Sequence, residues 1–443
     1  MSEPSPHRHA ATPPHRHVAP NPLATIRTPR FWLAPIVVSV TVFSALALLY
    51  LAGILNPTTN LRHFPVAVVN ADAGPDGKQI VDGLVSGLNR DEFDVRVLST
   101  DEANTQLDRA QIYGLVQIPS DFSAKLQALG RDALRPGQVT RPVITISTNP
   151  RAGELGSSIA GLTLAKAVSE ANTKIGQQLS GQVAKASGAP LPGGVSLTLS
   201  SPVDIQANDH NPLPNGTGNG LSAFYYALLL LLAGFTGSIV VSSLVDSMLG
   251  FVPSELGPIY RFAEQVQISR FRTLLVKWGL MAAMALLTSA AYVGIANALG
   301  MPIPNGWTLW AYGAFTIAAV GITSTSLIAV LGSVGLLVNL FIFVMLGLPS
   351  NGATIPLEAA PRFFGWLAKF EPMHQVFLGA RALLYFDGRA DAGLTRALVM
   401  TAIGLVIGVV IGGVVTRIYD RRGHQRAHAA DDPQRARVYA KDD

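Results

Sequence analysis

The stretch FWLAPIVVSVTVFSALALLYLAGIL, residues 31–55, decides how the rest of the chain is read. It carries no charge. At 1.5 Å per residue a helix of this length covers roughly 37 Å, enough to cross a bilayer with some tilt. The run is longer than the roughly 7–15 residues of a signal-peptide core, and no small-x-small cleavage site separates it from a polar segment. It therefore reads as an uncleaved signal anchor. Arg27 and Arg30 stand just before it, with Arg8 and Arg16 further back. The positive-inside rule places this end in the cytoplasm, and the chain emerges outside at about Asn56.

Composition agrees with a membrane protein that also carries a wet domain. The 443 residues are 49% hydrophobic and 14% charged, whereas soluble domains run at about 25% charged. The net charge is +5, and the basic residues lie beside apolar runs. That distribution suits topology and anionic lipid, not nucleic acid, and no helix-turn-helix, RRM or zinc-finger spacing occurs. Cysteine is absent, which excludes disulfides, thiolate metal sites and cysteine nucleophiles. There is no GxxxxGK[ST], GxSxG or HExxH, and the acidic and histidine residues are scattered without pairing. The chain reads as no enzyme and as holding no cofactor. Any ATPase would be a separate subunit.

Five segments follow. Residues 1–30 form a disordered basic cytoplasmic tail in which HRH occurs twice, at His7–His9 and His15–His17. No spacing there fixes a metal geometry. Residues 31–55 are the first span, and 56–220 an extracytoplasmic α/β domain. In that domain Pro65–Val69, Phe93–Leu98, Tyr113–Ile118 and Pro142–Ser147 read as strands. Gln79–Leu88, Asp101–Arg109 and a segment N-capped at Ser120 read as helices, which together suggest a parallel or mixed sheet. The loop Asn70–Gly77 places oxygens at Asn70, Asp72 and Asp76. A calcium loop counted from Asn70 needs Gly where Pro75 stands and Glu where Val81 stands, so turn chemistry is the better account. Arg151–Ser187 reads as a long helix, a stalk or a partner helix. Gly188–Gly220 reads as a linker with one strand-like run at Val195–Leu199.

Residues 221–416 carry five more spans, and 417–443 a cytoplasmic tail held inside by Arg417, Arg421 and Arg422. The spans are Leu221–Leu244, Trp278–Ala298, two within the apolar run Leu309–Leu348, and Leu398–Val415. As one helix the 40-residue run would extend about 60 Å, so it must reverse, most simply at Gly332–Gly335. Asp246–Lys277 holds Arg261, Arg270, Arg272 and Lys277 against three acids, which marks it cytoplasmic. Pro349–Arg396 is an outside loop whose Phe363, Phe364, Trp366, Leu367 and Phe370 share one face of a short helix lying in the outer interface. The span cores lack Asp, Glu, Lys, Arg and His, which argues against a proton antiporter and suits apolar or lipid-like cargo or a protein that moves nothing.

Two regions carry a resemblance. PVAVVNADAGPDGKQI (Pro65–Ile80) and YGLVQIPSDFSAKL (Tyr113–Leu126) resemble the outside domain of the YhgE/Pip (phage infection protein) family. GSVGLLVNLFIFVMLGLPSNGATIPLEAAPRFFGWLAKFEPMHQVFLGAR (Gly332–Arg381) is similar to the end of ABC-2-type permeases. The matching positions are Ser350, Gly352, Pro356, Pro361, Pro372 and Arg381. The resemblance implies an α-helical six-span bundle with a large extracytoplasmic α/β domain between spans one and two. It also implies a gating loop at Ser350, Gly352, Pro356 and Arg381, and an ATPase-coupling segment at Glu255, Gly257, Arg261, Arg270 and Arg272. Permeases that dock an ATPase commonly show an Arg-Glu-x-Gly-Thr-like run. Here Glu255 and Gly257 are present but out of register.

The function implied is the transmembrane subunit of an exporter of hydrophobic or envelope compounds. It would sit in the plasma membrane with both termini cytoplasmic, as a homodimer with a separate nucleotide-binding ATPase. The rival is a non-transporting surface receptor or secretion scaffold whose outside domain binds a cell-wall or surface protein ligand.

Overall fold

A computed structural model describes residues 29–135, 137–261 and 263–424. The two HRH motifs, Arg8, Arg16, Arg27 and the end of the C-terminal tail lie outside the described residues. The chain divides into two units, 1–49 and 50–443. The first contains most of helix α1 (Pro29–Ile54), an apolar helix long enough to cross a membrane.

The second unit opens with a five-stranded mixed sheet. Its elements are β1 (Phe64–Asn70), α2 (Pro75–Gly87), β2 (Phe93–Leu98), α3 (Thr100–Asp108), β3 (Gly114–Ile118), α4 (Phe122–Asp132) and β4 (Val143–Thr148). These are followed by α5 (Glu154–Ser187), α6 (Gly193–Ser200) and β5 (Asp204–Asp209). The strand order is β2-β1-β3-β4-β5, with β3 and β4 antiparallel and the other neighbours parallel. Strand β1 lies between β2 and β3 and is buried on both faces, so it reads FPVAVV without alternation. Its Phe64, Val66 and Val68 meet Ile80, Phe122, Ile146 and the apolar stripe of α5 in one core.

Local chemistry sets the helix starts. Ser99 and Glu102 form a reciprocal capping box at α3. Helix α4 begins one residue later than expected. Asp121 occupies its cap position, and Ser120 plays no capping part. The Asp72 carboxylate accepts from Ser123 N, Ser123 Oγ and Gly77 N. Its oxygens tie the starts of α2 and α4 together, which accounts for the acidic turn without calcium.

The stretch expected to be a linker is structured. Val195–Leu199 is helix, not strand, because α6 packs on α5 where Gly176 leaves room for the Leu199 and Ser200 carbonyls. β5 then adds to the edge of the sheet with all six of its residues exposed. Asn172 of α5 fixes this return. Its Nδ2 donates to Ser201 Oγ and Val203 O, both at 2.9 Å, and its Oδ1 accepts from Val203 N at 3.0 Å.

The rest is helical: α7 (Leu221–Met248), a two-stranded hairpin β6 (Ser254–Leu256) and β7 (Ile259–Arg261), α8 (Arg270–Ala298), α9 (Gly306–Leu331) and α10 (Ser333–Leu340). A π-helical segment (Phe341–Met345), α11 (Arg362–Leu367), α12 (Pro372–Tyr385) and α13 (Leu394–Arg421) complete it. Among the described residues, six segments are long and apolar enough to span a membrane: α1, α7, α8, α9, Ser333–Ser350 and α13. The reversal falls at Gly332, whose φ of +61° suits glycine. Gly335 then lies against the Leu327 backbone, and Asn339 Nδ2 donates to Ser324 O at 3.0 Å. The outer helices run past their apolar runs because polar caps hold them. Asp420 of α13 accepts from Arg270 N and Phe271 N at the start of α8.

Substitution of Asn172 tests the anchoring of β5. Asn172→Ala strands a buried N–H and a buried carbonyl and should cost about 2 kcal/mol or more, whereas Thr173→Ala, exposed one residue on, should cost little. Thermal unfolding of the purified protein in detergent measures both, and equal midpoints would remove Asn172 from this role.

Candidate functional site

The α/β domain and the helices that follow it meet around α12. This helix begins at Pro372, which lacks the N–H that a first-turn residue would leave unpaired, and Glu371 caps it by accepting from Met373 N and His374 N at 2.8 and 2.9 Å. Every residue from Met373 to Tyr385 is buried. One side packs on α7, α9 and α13. Gly379 permits this, since any Cβ there would enter the ring of Tyr312, whose Oη donates to Val376 O at 2.9 Å.

The other side carries the junction. Arg381, 9% exposed, donates from Nη1 to Ala152 O at 2.9 Å, just before α5. Arg151, the residue directly before Ala152, returns the contact with Nη1 to Tyr385 O at 2.9 Å. Each arginine thus holds a main-chain carbonyl belonging to the other's segment. The Arg381 guanidinium also faces the rings of Phe377 and Phe386 at 5.4 and 5.7 Å. Further ties run from Arg62, whose N donates to Glu358 O and Nη2 to Ala360 O, and from Tyr113 Oη to Glu358 Oε2 at 3.2 Å. Burial, with Glu358 alongside, pushes the Tyr113 phenol well above its ordinary value. Burial likewise lowers Arg381 from the ordinary guanidinium range, though a guanidinium stays charged in proteins.

Beside the straps lies a cleft of about 380 Å³ lined by Arg151, Glu154, Asn219, Thr354, Phe377 and Arg381 among others. The Nε–H groups of Arg151 and Arg381 are buried and meet no acceptor among the described residues. A basic wall of this kind suits a carboxylate, a phosphate or a carbonyl-rich group.

The residues expected to form a gating loop converge here. Ser350 is buried, donates to Leu346 O at 2.7 Å and lies 3.3 Å from Glu371 Oε2. Gly352, at φ +72°, faces the ring of His374, whose Nδ1 donates to Asn351 O at 2.8 Å. Pro356 packs near Gly156 of α5. The sequence reading did not single out Glu371, His374 or Arg151. A capping Glu directly before a Pro was the one local signal for the first.

The expected coupling segment divides in two. Glu255, Gly257 and Arg261 lie on the β6–β7 hairpin, with Gly257 at φ +60° in its exposed turn. Arg270 and Arg272 open α8. Arg270 is engaged with His424 O at 2.6 Å and with the face of Tyr419 at 5.7 Å, while Arg272 is exposed. Just inside the same ends, Lys277 Nζ and Asp246 Oδ1 pair at 2.9 Å with Lys277 2% exposed.

Two opposed shifts make the α12 start pH-dependent. Burial raises the Glu371 carboxyl from 4.5 to about 7, and burial, with Arg396 and Arg381 nearby, lowers His374 from 6.5 to about 4. For Glu371 the folded value lies above the unfolded one, so its contribution is full below about 4.5 and declines until about 7. For His374 the folded value lies below, so its contribution grows as pH rises from about 4 to 6.5. Each is worth about 3 kcal/mol and the two slopes oppose. Melting temperature of the wild type should stay nearly flat across the shared window. Glu371→Gln should leave a midpoint that rises with pH there, and His374→Gln one that falls. Variant profiles parallel to the wild type would show that neither group is coupled to folding.

Comparison with known proteins adds the following. No curated protein matches the chain. A solved structure, "Crystal structure of a domain of a putative ABC type-2 transporter from Thermotoga maritima MSB8", is similar at 17% identity with a TM-score of 0.23, covering 36% of this chain and 98% of its own. Likeness at that level carries no argument about fold or function. The family match is broad: it covers residues 34–408, and the chain belongs to the family described as "Protein of unknown function (DUF3533)".

Proposed function

We propose that the chain is the membrane subunit of an exporter of hydrophobic or envelope compounds, of ABC-2 type, working in the plasma membrane as a homodimer. The α/β domain lies outside and both termini lie in the cytoplasm. A separate ATPase engages the segment between α7 and α8, where the β6–β7 hairpin and Arg272 are exposed. The observation that carries this reading is the reciprocal pair Arg381–Ala152 and Arg151–Tyr385. It joins the α/β domain to a buried helix packed on α7, α9 and α13, so movement of those helices is transmitted to the domain that would receive cargo. The relation to YhgE/Pip-type proteins belongs to the same proposal. A second reading, a surface receptor or assembly scaffold, is favoured by a cleft of about 370 Å³ between α2 and α5. That cleft is lined by Gln79, Glu92, Lys166, Glu170 and Lys174 and is suited to a polar ligand.

The cysteine-free chain allows a direct test. Ser187→Cys in intact cells should react with a membrane-impermeant maleimide, and Gly257→Cys only after permeabilisation. The reverse pattern would overturn the orientation. For the coupling segment, a nucleotide-binding ATPase should co-purify with the wild type and be lost with paired charge reversals at Arg261 and Arg272. Co-purification of no ATPase, with intact export and loss of a surface-binding phenotype in a deletion strain, would favour the receptor.

A further inference from the structure

A second cleft opens on the opposite side of α12, facing the surface that the spans present to lipid. It measures about 230 Å³ and is walled by Val320, Thr323 and Leu327 of α9, Phe343 of the π-helical segment, and Ile403 and Gly404 of α13. Phe370, Pro372 and Gln375 close one end. Its lining is almost wholly apolar, with Thr323 Oγ1 engaged by Gly404 O at 3.2 Å.

The closed end is polar in an organised way. Gln375 is buried and donates from Nε2 to Ala368 O at 2.7 Å. Its Oε1 accepts from Arg396 Nε at 3.1 Å, and Arg396 Nη2 donates to Lys369 O at 3.3 Å. Arg396 lies one helical turn before Met400, which lines the cleft. Its guanidinium is thereby held at the lip with donors left over, beside the exposed Lys369. Among the described residues neither cation takes part in a salt bridge, and the nearby acids are engaged elsewhere: Glu371 on the α12 cap and Asp391 on Arg109 at 2.7 Å.

An apolar slot open to the hydrocarbon, with two cations at the polar end, is complementary to one class of molecule. We infer that this cleft binds an anionic phospholipid, an acyl chain between α9 and α13 and the phosphate on Arg396 and Lys369. The site requires only that α9 and α13 cross a bilayer. It is independent of whether the chain exports anything.

The test uses the full-length protein purified in mild detergent, mixed with equal amounts of phosphatidylglycerol and phosphatidylcholine and examined by native mass spectrometry. Phosphatidylglycerol should be retained preferentially, with about fivefold of that preference lost per cation removed in Arg396→Gln and Lys369→Gln. Gly404→Phe, at a position where an added Cβ meets nothing within 4 Å, should fill the slot and lower retention of both lipids. Ile403→Trp provides a second filler should the first fail to fold. Equal retention of the two lipids by the wild type would overturn the site. So would a loss in Arg396→Gln with none in either filled variant, which would mean surface headgroup attraction alone. Displacement of the lipid by millimolar inorganic phosphate would also overturn it, because the acyl chain would then contribute nothing.

Discussion

Two guanidinium groups, Arg151 and Arg381, each held by a main-chain carbonyl of the other's segment, are the constraint on which the second unit depends. Hydrogen bonds from a charged donor contribute about 1.5–3 kcal/mol each. The larger effect is the asymmetry of burial: without Ala152 O the buried Arg381 charge would be left facing the two rings in a poorly solvated place. The α/β domain is therefore not tethered by a slack connection. Its long helix α5 begins at the junction, and the sheet return through Asp204–Asp209 leads back to α7 beside it.

Helix α12 is the part made unusual by this arrangement. A helix buried all round would ordinarily be apolar all round, yet this one carries His374, Gln375 and Arg381. Each donates to a carbonyl from another segment: Asn351, Ala368 and Ala152 respectively. Glu371 supplies the N-terminal acceptor that α12 needs without a compensating cation, and burial answers by favouring its protonated form. The same helix separates two clefts of opposite chemistry, one basic at the junction and one apolar toward lipid.

Away from this helix the spans obey a simple rule. Ionisable groups stay at the ends, where Asp246 and Lys277 neutralise one another. Several polar groups inside are small and bonded to a neighbouring helix, as in Ser238 with Ser324 and Asn339 with the Ser324 carbonyl. Small residues let the helices approach, and a hydroxyl finds a neighbour's oxygen more readily than lipid can offer one. The π-helical turn after α10 breaks the regular ladder where that short span meets α12.

Much of the architecture was legible from residue order alone. The apolar runs announced the spans because backbone in hydrocarbon must close its hydrogen bonds within the segment. The strands β1 to β4 were legible because apolar residues there are bounded by turn formers. The region around Gly332–Gly335 announced a reversal because one helix of that length would overrun the bilayer. What stayed hidden shares one cause. Strand β5 is exposed along its whole length and pairs through its backbone, so its side chains carry no pattern. Val195–Leu199 became helix because Gly176 lets α6 approach closely. Helix α12 lacks a polar face because neighbours surround it, and at the junction the partners of Arg381 and Tyr385 come from residues more than two hundred positions earlier. Sequence determined which segments could leave water. Only the tertiary structure decided where their polar groups would find partners, because a buried donor takes the acceptor nearest in space rather than in the chain.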